Sequence, residues 1–195
     1  LKGIFILTGP FGSGKTSFCQ WFSWELKKGG IDVRGVISPP EFHGGEKTGI
    51  WSQDIRSGEK RVLAQKNGEG LKIPRLAPWV FDPETILWVN SFLREAVPCR
   101  VLIVDELGPL EFEFRQGFME AFRAIDSRNF RLALVVIRPE MVDPARSLWK
   151  DSRVLSVAEA WKWGKKTLED LGFSSGFSPV APPDGYRPED HQEEN

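Results

Sequence analysis

The chain has 195 residues, enough for one globular domain with a real core or one domain carrying an insertion. Hydrophobic residues make up 41% and charged residues 27%, an ordinary globular balance that excludes wholesale disorder. Lys plus Arg number 26 against 27 for Asp plus Glu, a formal charge of -1, so no overall field draws the chain to nucleic acid or to an anionic membrane. No apolar run approaches the roughly 20 residues that cross a bilayer. The first apolar stretch, residues 4–7, is too short for a signal-peptide core. Two cysteines, Cys19 and Cys99, give neither a disulfide framework nor a zinc spacing. A cytoplasmic protein is expected, and with Leu1 as the first residue an initiator or an upstream segment is expected to be missing.

Residues 2–7 form a β-prone run that enters a glycine-rich turn at residues 9–14. A helix follows, with Phe18, Phe22 and Leu26 recurring every four residues and Gly29-Gly30 as its stop. Residues 33–38 read as a second strand, ended by Pro39-Pro40. The stretch from 41 to about 78 is polar, glycine-rich and basic. Its strand-like pieces at 48–55 and 60–65 predict a β-hairpin inserted into the main fold. Asp82-Pro83 supplies an N-cap and a first helical proline for a helix carrying Ile86, Val89 and Leu93.

Residues 101–104 are continuously apolar, as in a parallel strand covered on both faces, and Asp105-Glu106 sits where that strand is expected to end. A helix with Phe118, Phe122 and Ile125, a strand at 132–137, a short helix opened by Asp143-Pro144, a last strand at 153–156 and a final helix from about 158 to 171 complete the pattern. Alternating strands and helices predict an α/β fold with a mostly parallel sheet. The expected division is a nucleotide-binding domain over 1–172, its insertion at about 41–78, and a mobile C-terminal tail over 173–195.

Gly9-Pro10-Phe11-Gly12-Ser13-Gly14-Lys15-Thr16 matches the phosphate-loop pattern G-x-x-x-x-G-K-[ST] in full, between a predicted strand and a predicted helix. Glycines let the backbone wrap an anion so that successive N–H groups face phosphate oxygens, and the positive end of the helix adds to the attraction. Gly9, Pro10, Phe11, Gly12, Ser13, Gly14, Lys15, Thr16 and Ser17 are the candidate nucleotide contacts. Lys15 would reach the β and γ phosphates and the Thr16 hydroxyl would ligate Mg²⁺. Neighbouring strand residues face opposite ways, so Asp105 and Glu106 take different tasks. Asp105 is placed to hold the Mg²⁺, and Glu106 to polarise a water for in-line attack on the γ-phosphate.

Thr8 through Thr16, together with Asp105-Glu106-Leu107-Gly108-Pro109-Leu110-Glu111, resembles the THEP1-like nucleoside-triphosphatase family, which carries a D-E-[IL]-G-x-[ML]-E segment after its acidic strand. The likeness spans about residues 3–157. It implies a P-loop NTPase core of RecA-like type, a three-layer sandwich with a mostly parallel sheet. It also implies Mg²⁺-dependent hydrolysis of ATP, GTP and other nucleoside triphosphates, and a place for Glu111 at the border of the site. Two departures stand out. Ser38-Pro39-Pro40-Glu41-Phe42 lacks the arginine of the family's T-x-E-[VI]-R pattern, and the segment from Ser156 to Trp161 lacks its N-R pair.

The chain holds no [NT]-K-x-D base-reading motif, which fits loose base preference. Arg56, Arg61 and Arg75, in or after the insertion, are candidates for closing over the γ-phosphate, and Arg138 for sensing it. Eight tryptophans are many for this length. Trp21, Trp24, Trp88, Trp161 and Trp163 are mostly core candidates, and any exposed remainder would offer a surface for a protein partner or self-association. Single-stranded nucleic-acid stacking would need a basic groove that the charge balance does not supply. His43 and His191 have no ligand spacing around them. Beside hydrolysis stand two alternatives: a small-molecule or nucleoside kinase, and a nucleotide-gated binding module that needs a partner.

Overall fold

A computed structural model describes residues 2–170; the predicted tail, and the last residue of the predicted final helix, lie outside the described residues. Strand β1 (Gly3–Thr8) runs into the glycine loop and helix α1 (Lys15–Lys28), then β2 (Val33–Ile37). Five strands follow: β3 (Pro40–His43), β4 (Glu46–Asp54), β5 (Lys60–Gln65), β6 (Leu71–Lys72) and β7 (Val80–Phe81). The second half contains α2 (Pro83–Arg94), β8 (Cys99–Leu107), α3 (Pro109–Phe112), α4 (Met119–Asp126), β9 (Phe130–Ile137), α5 (Val142–Leu148), β10 (Arg153–Ser156) and α6 (Val157–Asp170).

The sheet order is β10-β1-β9-β8-β2-β4-β5-β7-β6, with β3 paired to β4. From β10 to β2 all pairings are parallel, which is the α/β core that the alternating pattern predicts. The inner stretches of β1 (residues 4–7), β8 (101–104) and β9 (132–137) are continuously apolar because both faces are covered. Successive residues serve opposite layers. Phe5, Leu7, Ile103 and Val136 pack with Phe18, Phe22 and Leu26 of α1 and with Leu168 of α6. Ile4, Ile6, Leu102 and Val135 pack with Val89 and Leu93 of α2, Phe122 and Ile125 of α4, and Trp149. The result is three layers, helix on sheet on helix.

Two features differ from the sequence reading. The insertion is larger than a hairpin: β3 to β7 extend the sheet antiparallel from β2. Asp105 and Glu106 also lie inside β8, since pairing with β9 continues to Leu107↔Ile137 beyond a register shift. Three of the eight tryptophans, Trp21, Trp161 and Trp163, pack between α1 and α6, while Trp79, Trp88 and Trp149 belong to the opposite layer. Trp161 lies edge-on to Phe18 with centroids 5.2 Å apart and stacks obliquely on Trp21 at 4.8 Å. Gly164 makes this approach possible, because a Cβ there would sit 2.9 Å from both Phe18 and Trp21. Trp24 alone among these helix tryptophans is strongly exposed, at 48%, with the Lys28 ammonium over its ring.

Candidate active site

Strand β1 lies inside the sheet between β10 and β9, so the loop leaving its C-terminal end opens at the edge where open α/β sheets bind ligands. Gly12 and Gly14 take φ of 76° and 89°, a conformation that disfavours a side chain and turns the backbone around the anion space. Lys15 curls back across the loop and donates to the Gly9 and Pro10 carbonyls at 2.7 Å each. With the helix start behind the loop, this is the geometry an anion site requires, its lysine ammonium resting on backbone oxygens.

β8 delivers the two acids as the alternation of a strand requires. Asp105 faces inward, 1% exposed; its Oδ1 accepts from the Thr16 hydroxyl at 3.3 Å and its Oδ2 from the Ser38 N–H at 3.2 Å. Burial first, and then the neighbouring Glu106 charge, push its carboxyl up to about 7 despite those bonds and the nearby Lys15. Glu106 faces the cleft, half-buried, and accepts a short charged bond from Arg138 Nε, which reaches it from the end of the adjacent β9. Arg138 also lies along Gly108.

Glu111 does border the cleft, but its two oxygens are already committed. Oε2 accepts from Gly108 N–H at 2.9 Å and Oε1 from Phe118 N–H at 3.0 Å. Burial pushes it up to about 7. It fastens the segment after β8 rather than presenting a free carboxylate, and Gly117, with φ of 73°, leaves room for it.

The residues from which a magnesium ion is expected to take ligands fit such an ion. Thr16 Oγ1 and the Asp105 carboxylate offer an all-oxygen donor set, the chemistry of a hard cation, and the hydroxyl of Ser38, whose N–H bonds Asp105, is buried without a partner among the described residues. A buried carboxylate held near neutrality by desolvation is also relieved by a positive charge.

Around these groups lies a cleft of about 1100 Å³, lined on one side by Gly9, Phe11, Thr16 and Ser17 and on the other by the antiparallel extension. Of the arginines singled out in the insertion, Arg75 lines the cleft but is paired with Glu113 at 2.5 Å. Arg61 is paired with Glu59, its guanidinium 4.6 Å from the Trp88 ring, and neither it nor Arg56 lines the cleft. Sequence reasoning missed Lys47 and Trp79, which do. Lys47 carried no motif that would have pointed to it.

A family model described as NTPase matches residues 4–161. The nucleoside-triphosphatase THEP1 of Ignicoccus hospitalis is 28% identical over 179 residues, covering 89% of this chain and 97% of its own. That of Pyrobaculum islandicum is 31% identical over 169 residues, covering 86% and 92%. Among solved structures, the solution structure of a human cancer-related nucleoside triphosphatase aligns with a TM-score of 0.64 at 23% identity over 89% of this chain and 99% of its own. The crystal structure of THEP1 from Aquifex aeolicus aligns at 0.58 and 18% identity over 87% and 96%. These two similarities show the fold.

Proposed function

Since the chain belongs to the THEP1 nucleoside-triphosphatase family, we propose that it hydrolyses the γ-phosphate of ATP, GTP and other nucleoside triphosphates with Mg²⁺. The observation that carries this reading is the pair of carboxylates on β8. One is buried against Thr16; the other faces the cleft and is held by Arg138.

The loop N–H groups of residues 11–16 cradle the phosphates, and Lys15 exchanges its two carbonyl partners for β and γ oxygens. Thr16 and Asp105 would hold the magnesium, which when bound would neutralise charge on the phosphate oxygens. Glu106 accepts a hydrogen bond from the attacking water and takes its proton as the water oxygen bonds to the γ-phosphorus. The bond from γ-phosphorus to the bridging oxygen breaks, leaving nucleoside diphosphate and inorganic phosphate. Arg138 fixes the orientation of the Glu106 carboxylate. The loop reads phosphates and not the base, which supports use of several triphosphates.

One observation favours a second reading. The cleft, at about 1100 Å³, is at the upper end of the usual ligand range, and Ile50, Trp51 and Trp79 give its far wall an apolar character suited to an acceptor molecule. In that phosphotransferase Glu106 would take the proton of an acceptor hydroxyl. Phosphate release from ATP, GTP, CTP and UTP, each with magnesium or with EDTA, separates the two. Metal-dependent release from several triphosphates without any acceptor supports the hydrolase, and binding without release refutes it.

A further inference from the structure

The antiparallel extension brings one cation to the phosphate loop that no motif announces. Strands β3 and β4 meet at Gly44 and Gly45, with φ of 59° and 83°, the two positive values a tight hairpin turn requires. Lys47 stands just past that turn, opposite Phe42. Its ammonium lies 5.1 Å from the ring centroid of Phe11, the 83% exposed tip of the phosphate loop, and 5.0 Å from that of Trp79. Among the described residues it makes neither an ion pair nor a hydrogen bond through its side chain.

Its neighbours in the extension are placed differently. Arg61 is neutralised by Glu59, Lys66 by Glu46 and Arg75 by Glu113. Lys60 lines the same cleft but is exposed, with no ring against it. Lys47 is half-buried, and burial lowers its pKa. The charged groups that act on it are those of the phosphate site: Glu106, Arg138, Asp105 and Lys15. A partly desolvated ammonium seated against ring faces recovers only part of its lost hydration from them. Lys47 thus faces the phosphate loop across the cleft, within the field of the phosphate site.

We propose that Lys47 is a catalytic residue that contacts the γ-phosphate from across the cleft, supplied in cis by the β3–β4 hairpin and steered onto the phosphate loop by Phe11 and Trp79. This rests on the phosphate-site reading above. It assigns to a lysine the charge-stabilising task for which the arginines of the extension are unsuited, because their positions or partners hold them away. Charge on the equatorial oxygens builds up as the phosphoryl group leaves, so a cation there acts mainly on turnover.

The test compares wild type with Lys47→Met, Lys47→Arg and, as a charge control on the same extension, Lys66→Met, all checked for unchanged melting. Lys47→Met lowers kcat about a hundredfold with little change in KM, Lys47→Arg stays within about tenfold of wild type, and Lys66→Met matches wild type. A second readout needs no turnover: the tightening of ADP binding when magnesium and aluminium fluoride, a mimic of the phosphoryl group in flight, are added. Lys47→Met loses at least about tenfold of that tightening while ADP alone binds as before. Wild-type kcat and tightening in Lys47→Met overturn the assignment, as does an equal loss of affinity for ADP with and without the fluoride. A wild type that shows Lys47-dependent tightening but releases no phosphate refutes the hydrolase reading and upholds Lys47.

Discussion

Replacing Asp105 with Asn should make the nucleotide-free, metal-free protein more stable at pH 8. The carboxyl ionises at about 7 in the folded chain against an ordinary value of 3.8, chiefly because it is buried. Between those values the unfolded chain gives up its proton while the folded chain keeps it. Stability therefore falls as pH rises from about 4 to about 7 and is level above. The gap from 3.8 to about 7, at about 1.4 kcal/mol per pH unit, amounts to about 4 kcal/mol carried by the wild type at pH 8. An asparagine removes the charge and keeps the contacts. Its oxygen accepts from Ser38 N–H and its amide donates to the Thr16 hydroxyl, which turns from donor to acceptor. Urea unfolding of both proteins at pH 4.5 and pH 8 measures the effect. The variant should lead by about 1 kcal/mol at the lower pH and by about 4 kcal/mol at the higher one. Magnesium should narrow the gap by stabilising the wild type alone. A variant less stable than wild type at pH 8 would refute the reasoning, because the buried charge would then be held by more than the structure shows.

Lys15→Ala should weaken triphosphate binding about thirtyfold or more by titration calorimetry, since a charge-assisted bond to phosphate is lost. Arg138→Ala should lower kcat by about tenfold to a hundredfold with KM nearly unchanged in a phosphate-release assay, because the Glu106 carboxylate loses the partner that orients it. Gly164→Ala should lower the melting temperature in a thermal scan, at a cost of about 1–3 kcal/mol, because its methyl group meets Phe18 and Trp21 at 2.9 Å.

The parallel core and the phosphate loop were legible in the sequence because their signals are local. Four apolar residues before Asp105 mark a strand covered on both sides, and the glycines of the loop are required by its backbone. The alternation rule also separated the two acids correctly, one inward and one toward the cleft. The antiparallel extension was legible only at its longest strands. β6 and β7 are two residues each, and their structure comes from the edge they pair with, not from their own composition. α3 is a single turn started by Pro109, too short for periodicity to reveal. Lys47 was out of reach for a related reason. Which way it points depends on the pairing of β4 with β3 and β5, including register shifts on both sides that no residue pattern announces. Glu111 came into view only through the family resemblance, as a border residue; its two backbone bonds show why a carboxylate at that position also holds the loop after β8 together.

The most direct measurement is triphosphate binding and single-turnover phosphate release with magnesium, for wild type and Glu106→Gln side by side. Glutamine keeps the size of the side chain but cannot take a proton from water. Binding should match within about threefold while release falls about a hundredfold to ten-thousandfold. Equal release rates would contradict the assignment of Glu106 as the group that activates water, and with it the proposed mechanism of hydrolysis.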